Sequence, residues 1–364
     1  MKSMIVERAA IKNNIDVVKK AAAGRPIFGV LKGEGYGLGL LELAGILREE
    51  GISAFAVTEP GDALCLRDAG YIDEEILVLR STAIEDEVEK IVSARATATI
   101  GSDEAAVVLN GIAGREGTIA NAHIKIDTGM GRYGFLPDEM SKVVSIYKYM
   151  QNLSITGTYT HLNQSYGAKK HVAVQLALFK QALDEIAASG NSPGMVHAAN
   201  SAAILRFPET HFDAVRAGSA FLGRVGIKDD HKLKRVGYAE ERIVDIRWLK
   251  KGCTVGYGAR YKCRKMTRIA VIPFGYSDGF AAEKAREIHR FSDFWGAVVS
   301  AFARLLGRGR YYAAINGKRV PVLGRVGALH TVLDVTNVEA KAGDYVRFEV
   351  NPLIAGRILE RKYV

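Results

Sequence analysis

Between residues 27 and 223, short runs rich in β-branched residues alternate with longer amphipathic stretches, a pattern that leaves few folds open. Eight runs read as strands, at 27–32, 53–59, 75–80, 96–100, 122–130, 155–161, 195–200 and 212–216. Segments such as 40–50, 85–94, 137–150 and 175–189 repeat apolar residues every three or four positions, as a helix with one buried face does. Strands that alternate with helices pair in parallel. Eight such units within roughly 200 residues predict a closed TIM (β/α)8 barrel in preference to an open doubly wound sheet. No helical pattern follows the eighth run, whereas one at 9–23 precedes the first and can fill the vacant outer position.

After about residue 232 the runs become β-rich and are separated by glycines and basic turns, at 242–248, 267–273, 311–315, 319–324, 330–335 and 345–350. The expected organisation is a barrel over 1–232 and a smaller, mainly β domain over 233–364, and 48% hydrophobic residues suffice for both cores. No stretch approaches the roughly 18 apolar residues of a membrane span, and the first residues lack a signal peptide's apolar run. A cytoplasmic protein without membrane association is expected. Cys65, Cys253 and Cys263 form neither a CxxC nor a His-rich spacing, so neither a disulfide framework nor a metal site is expected. The formal charge of +10 is dispersed, with no RNP-like motif, zinc finger or basic arm. That pattern disfavours nucleic acid as a partner and suits anionic small molecules.

The first strand runs into Gly29-Val30-Leu31-Lys32-Gly33-Glu34-Gly35-Tyr36-Gly37-Leu38-Gly39. A lysine at the carboxyl end of a barrel strand lies on the face that carries active sites, and glycines let backbone approach a ligand. Spacing alone equally allows a surface lysine in a loop. Further on stand Lys125-Ile126-Asp127-Thr128-Gly129-Met130-Gly131-Arg132, then His161, His197 with Asn200-Ser201-Ala202-Ala203, and Val215-Arg216 with Gly218. Gly256-Tyr257-Gly258-Ala259 and Gly275-Tyr276-Ser277-Asp278-Gly279 follow. In this order and over almost the whole chain, these motifs resemble those of alanine racemases, a barrel-plus-β-domain class of pyridoxal-phosphate enzymes.

The resemblance implies pyridoxal 5′-phosphate at the barrel mouth, bound to Lys32 as a Schiff base. Racemisation then needs a second proton carrier on the opposite face, and Tyr257 matches the family's choice. Arg216 would face the pyridine nitrogen, where a permanent cation disfavours ring protonation. His161 would stack on the ring and His197 would buttress Arg216, although either histidine taken singly reads as a structural residue. Tyr36, Ser201, Gly218 and Ser219 would hold the phosphate. Arg132 would meet the cofactor's phenolic oxygen or the substrate carboxylate, and Lys125 resembles a lysine that many members carry as a carbamate. Members are homodimers in which one subunit's β domain supplies its tyrosine to the other's barrel. The implied substrate is alanine or a related small amino acid.

The match weakens toward the carboxyl terminus. Ala328 stands where the family has a methionine whose backbone amide helps bind the substrate carboxylate, and Gly356 and Phe280 replace two entrance tyrosines. These changes predict a wider, less polar entrance and make serine or a bulkier apolar amino acid a second substrate reading. An apparent insertion at 284–310 carries Phe291, Phe294, Trp295, Val298, Val299, Phe302, Leu305 and Leu306 at helical spacing, flanked by Arg290, Arg304, Arg308 and Arg310. Such a helix is expected to pack on the β domain or a dimer interface; covering the entrance or lying on a membrane are the other readings. Related decarboxylases or epimerases typically place an acid at the ring nitrogen, which Arg216 argues against. Related cofactor-homeostasis proteins lack the second domain.

Overall fold

The computed structural model describes residues 2–228, 232–282, 289, 291–305 and 311–364. It forms two compact units, Arg8–Val236 and the pairing of Met1–Glu7 with Gly237–Val364.

β1 (Ser3–Val6) belongs to the second unit, and the first opens with α1 (Arg8–Ala22) and continues with β2 (Ile27–Val30), a one-turn segment α2 (Lys32–Tyr36) and α3 (Leu40–Glu49). Strand and helix then alternate through β3 (Ala54–Val57), α4 (Pro60–Asp68), β4 (Glu75–Val78), α5 (Glu85–Ser93), β5 (Ala98–Ile100), α6 (Asp103–Arg115), β6 (Ala120–Lys125) and α7 (Met140–Tyr149). The series ends with β7 (Leu153–Tyr159), α8 (Lys169–Ala188), β8 (Met195–His197), α9 (Ser201–Arg206) and β9 (Val215–Ala217). The strands pair in parallel as two four-stranded runs, β4-β3-β2-β9 and β5-β6-β7-β8. Parallel bridges Leu77–Thr97 and His197–Ala214 join these runs at both seams, so the sheet closes on itself as an eight-stranded barrel. Runs such as Ala54-Phe55-Ala56-Val57 are apolar along their length because helices cover one face and the barrel interior the other. α1 packs between α9 and α3, which is the outer position left without a helix after β9. Gly29 lets α3 approach β2, since a Cβ there would lie 2.7 Å from Leu47 Cδ1.

The second unit is built on a six-stranded sheet in which Lys318–Pro321, Tyr312–Ile315, Tyr345–Glu349, Tyr238–Arg242, β1 and Glu360–Tyr363 lie side by side in that order. A three-stranded sheet pairs Asp245–Leu249, Thr267–Ile272 and Thr331–Asp334. The amino terminus therefore departs from the sequence expectation of a 1–232 barrel: Ser3–Val6 pairs antiparallel with Tyr238–Arg242 and parallel with Glu360–Tyr363, and all four residues are buried there. A four-residue strand followed at once by a helix carries no local sign of which sheet it joins.

Phe280 also departs from expectation. It is 2% exposed and packs against Phe274, Tyr311 and Phe348, its ring centroid 4.8 Å from that of Phe348, so it is core within its own unit. The inserted helix forms as α10 (Phe291–Leu305), but Phe291, Phe294, Trp295, Val298, Val299 and Phe302 are all exposed, so within this chain its apolar face is not packed on the β domain. Arg290, Leu306, Arg308 and Arg310 lie outside the described residues. No described helix is long and apolar enough to cross a membrane.

Candidate active site

Beyond β2 the backbone winds left-handed, with φ of 63° at Gly33, 59° at Glu34, 58° at Gly35, 56° at Tyr36 and 83° at Gly37. Left-handed winding costs roughly 1–2 kcal/mol at each residue with a Cβ, so glycine at three of the five positions leaves only Glu34 and Tyr36 strained. The turn sends the Tyr36 ring against Gly218, where any Cβ would overlap the tyrosine hydroxyl.

This turn borders a cavity of about 560 Å³, lined by Lys32, Tyr36, Lys125, Arg132, His161, Ser201, Arg216, Gly218 and Ser219 together with Tyr159, Asn163 and Tyr166. Nine of the ten candidate residues in the barrel thus converge from five strand ends or the loops after them. The tenth, His197, does not line the cavity; it lies fully buried behind Arg216. Tyr257 and Ala328 belong to the second unit, and every residue lining this cavity comes from the first. Tyr257 is 81% exposed on a turn between Gly256 and Gly258, both at positive φ. The Ala328 carbonyl accepts hydrogen bonds from the Ser277 amide and hydroxyl.

The Asp-Thr-Gly-Met-Gly-Arg run has a local reason. The Asp127 carboxylate accepts backbone N–H groups of Gly129, Met130, Gly131 and Arg132 at 2.7–3.1 Å, which fixes the loop that carries Arg132.

Electrostatically the cavity gathers cations. Burial, and then the Arg132 charge, lower the Lys32 amine below its ordinary value. Burial with Arg132 and Arg216 nearby brings Lys125 down to about 8. Lys125 is 2% exposed and has no hydrogen bond or ion pair among the described residues. Burial and the surrounding cations push His161 down to about 3, so its ring is neutral.

Arg216 is held at both terminal nitrogens. Nη1 donates to His197 Nδ1 at 2.5 Å and to the His197 carbonyl, and Nη2 donates to the carbonyls of Thr160 at 2.7 Å and Ala198 at 3.2 Å. Nε–H is left without a protein acceptor among the described residues, and Arg216 lines the cavity. Ser201 Oγ already accepts the amides of Gly218 and Ala220, so its own proton is available to a ligand oxygen. A guanidinium donor, a hydroxyl donor and a weakly basic lysine around one cavity fit an anionic aromatic aldehyde with an acceptor nitrogen, which is the chemistry of pyridoxal phosphate.

Three residues escaped the sequence reading. Tyr159 sits two positions before His161, and His123 two before Lys125, on strands whose alternate side chains enter the barrel; that period of two was the available signal. Glu75, at the start of β4, carried no signal.

The family described as alanine racemase, N-terminal domain, matches residues 6–225, and the alanine racemase C-terminal domain matches 236–351. The chain is 32% identical over 349 residues to an alanine racemase of Methanococcus maripaludis, covering 94% of this chain and 87% of that protein. It is 35% identical over 324 residues to one from Carboxydothermus hydrogenoformans, covering 87% and 80%. A crystal structure of alanine racemase from Bacillus anthracis with bound L-Ala-P superposes with a TM-score of 0.80 at 25% identity, covering all of this chain and 95% of that one.

Proposed function

The chain belongs to the alanine racemase family, and from that premise we propose that it interconverts L- and D-alanine, using pyridoxal 5′-phosphate held by Lys32 at the barrel mouth. The observation that carries this reading is the single cavity lined both by Lys32, whose amine is lowered in basicity, and by Arg216, whose Nε–H has no protein acceptor among the described residues. When bound, the cofactor withdraws electrons from the substrate α-carbon and acidifies its C–H bond. Lys32 Nζ takes or returns the α-proton on one face, and Tyr257 Oη does so on the other. Tyr257 comes from the partner copy in a homodimer; its exposure on a turn between two glycines of positive φ supports that reading.

The Arg216 guanidinium carries donors only, so its Nε–H would pair with an unprotonated ring nitrogen. Burial lowers Arg216 to about 10, which still leaves it a cation at neutral pH and restrains electron withdrawal to what proton exchange needs. Ser201, Ser219, Tyr36 and the backbone at Gly218 hold the phosphate. Arg132, fixed by Asp127, meets the substrate carboxylate or the cofactor's phenolic oxygen. His161 stacks on the ring as a neutral imidazole, and His197 acts from behind Arg216 without touching the cofactor. The protein acts in the cytoplasm.

Incubating L-alanine, L-serine and larger L-amino acids with the protein in deuterated water tests the activity. Alanine is expected to gain α-deuterium and lose optical purity fastest. Absence of exchange from every amino acid would refute racemisation, and faster exchange of serine would transfer the assignment to that substrate.

Lys125 is a buried cation beside two arginines with no acidic partner bonded to it, an arrangement that carbamylation relieves by turning the side chain into an anion between cations. Carbon dioxide attacks only the neutral amine, so with the amine titrating at about 8 the modification is expected to fall as pH drops below that value. In ¹³C-bicarbonate a single carbamate resonance should appear, strong at pH 8, weak at pH 6 and missing in Lys125→Ala. A mutant that keeps the signal would show it belongs elsewhere.

A further inference from the structure

Behind Arg216 a line of polar groups runs through the barrel interior beside the apolar cluster of Phe28, Val30, Ala56, Leu77 and Ala214. His197 Nε2 lies 3.0 Å from His123 Nδ1, and His123 Nε2 lies 3.5 Å from Glu75 Oε1. His197 is 0% and His123 1% exposed, so the rings must satisfy one another. Glu75 is half-buried, contacts Thr97 Oγ1 at 3.4 Å, and lines a separate cavity of about 380 Å³ to which His123 also contributes.

We propose that Glu75, His123 and His197 form a directed hydrogen-bond chain through the barrel that holds Arg216 from behind, making His123 and Glu75 positioning residues for the racemase reaction. The inference rests on Arg216 facing the cofactor as proposed above. Direction follows from donors and acceptors alone. Arg216 can only donate, so His197 Nδ1 accepts and the His197 proton resides on Nε2. His123 Nδ1 must then accept, which leaves its proton on Nε2, facing the Glu75 carboxylate. Reversing either imidazole would oppose two N–H groups between rings that are buried, at a cost of roughly 1–3 kcal/mol. Between the guanidinium and the carboxylate, both ring dipoles point the same way. Burial and the Arg216 charge depress the basicity of both rings, which keeps them neutral and lets each donate once and accept once.

The surrounding fold is fitted to these rings. A Cβ at residue 157 would lie 2.6 Å from His123 Nε2, so Gly157 is the residue that leaves room for it. The pairing of β6 with β7 shifts register between Ala122 and His123, where the imidazole is carried. Tyr159 stacks on His197 at 4.8 Å and 6°, and Phe28 lies 5.3 Å from the same ring at a tilt of 32°, so two aromatic rings pack on His197.

The test reads tautomers rather than turnover. In protein labelled with ¹⁵N-histidine, proton–nitrogen correlation spectra at neutral pH, with His123→Asn used for assignment, are expected to show both His123 and His197 neutral and protonated at Nε2, with and without added pyridoxal phosphate. Glu75→Gln is expected to shift the His123 Nε2 resonance most and the His197 resonance less, leaving His211, which bonds the Ile204 carbonyl, unmoved. A proton on Nδ1 of either ring in the wild type, or His197 signals indifferent to Glu75→Gln, would overturn the chain. The wild-type spectrum decides the direction even if a variant does not fold. Because no turnover enters, the chain can fail while racemisation stands, and the reverse result is equally distinguishable.

Discussion

Lys32→Ala is expected to lower racemisation by on the order of 10⁴-fold or more and to abolish the visible absorbance of the imine-bound cofactor. Two functions are lost together, since the proposed mechanism gives the same amine both the covalent hold on the cofactor and the movement of a proton on one face of the substrate. The lowered basicity of Lys32 suits both, because imine formation and proton abstraction each require the neutral amine. The fold should survive: residue 32 lies at the cavity rim, and the barrel seams are closed elsewhere. The measurements are the absorbance of protein loaded with pyridoxal phosphate and the rate of optical change in alanine. A variant that stays coloured and active would remove Lys32 from the mechanism and the cofactor assignment with it.

Tyr257→Phe is expected to keep the cofactor and its colour while racemisation falls by about 10³-fold, which corresponds to about 4 kcal/mol of transition-state stabilisation. Loss of the hydroxyl removes proton delivery on one face only. In deuterated water, the enantiomer whose α-hydrogen faces Lys32 should still gain deuterium with retained configuration, whereas the opposite enantiomer should exchange hardly at all. This asymmetry separates loss of a proton carrier from a general weakening of binding, which would slow both enantiomers alike. Equal residual exchange of the two would end the role given to Tyr257.

Much of the fold was legible because its signals are local. The eight strand runs were found through apolar composition and the helices between them through a period near 3.6, and both depend on neighbours a few residues away. The predicted helix at 9–23 occupies the vacant outer position because barrel closure leaves one place uncovered. Lys32 could be singled out for a related reason: the end of a barrel strand is recognisable wherever the run stops and glycines begin. The family motifs supplied the remaining candidates in the barrel, and nine of the ten share one cavity.

What was not legible depended on residues far apart in sequence. The four residues of β1 join a sheet with strands more than 230 positions away, and nothing within Ser3–Val6 records that choice. Phe280 reads as a lost entrance hydroxyl until its three aromatic neighbours are known. The helix at 291–305 was foreseen as a helix, but which face it buries depends on packing, and within this chain its apolar face is exposed.

The sequence by itself determined the barrel, the β-rich second unit and a strand-terminal lysine among glycines, because periodicity and turn chemistry act over a few residues. Only the tertiary structure decided that His123, His197, Arg216 and Glu75, borne by four different strands, would line up through the barrel interior. Closing the barrel turns alternate side chains of every strand toward one axis, and the distances among them are set by strand tilt and register, which no local stretch of sequence contains.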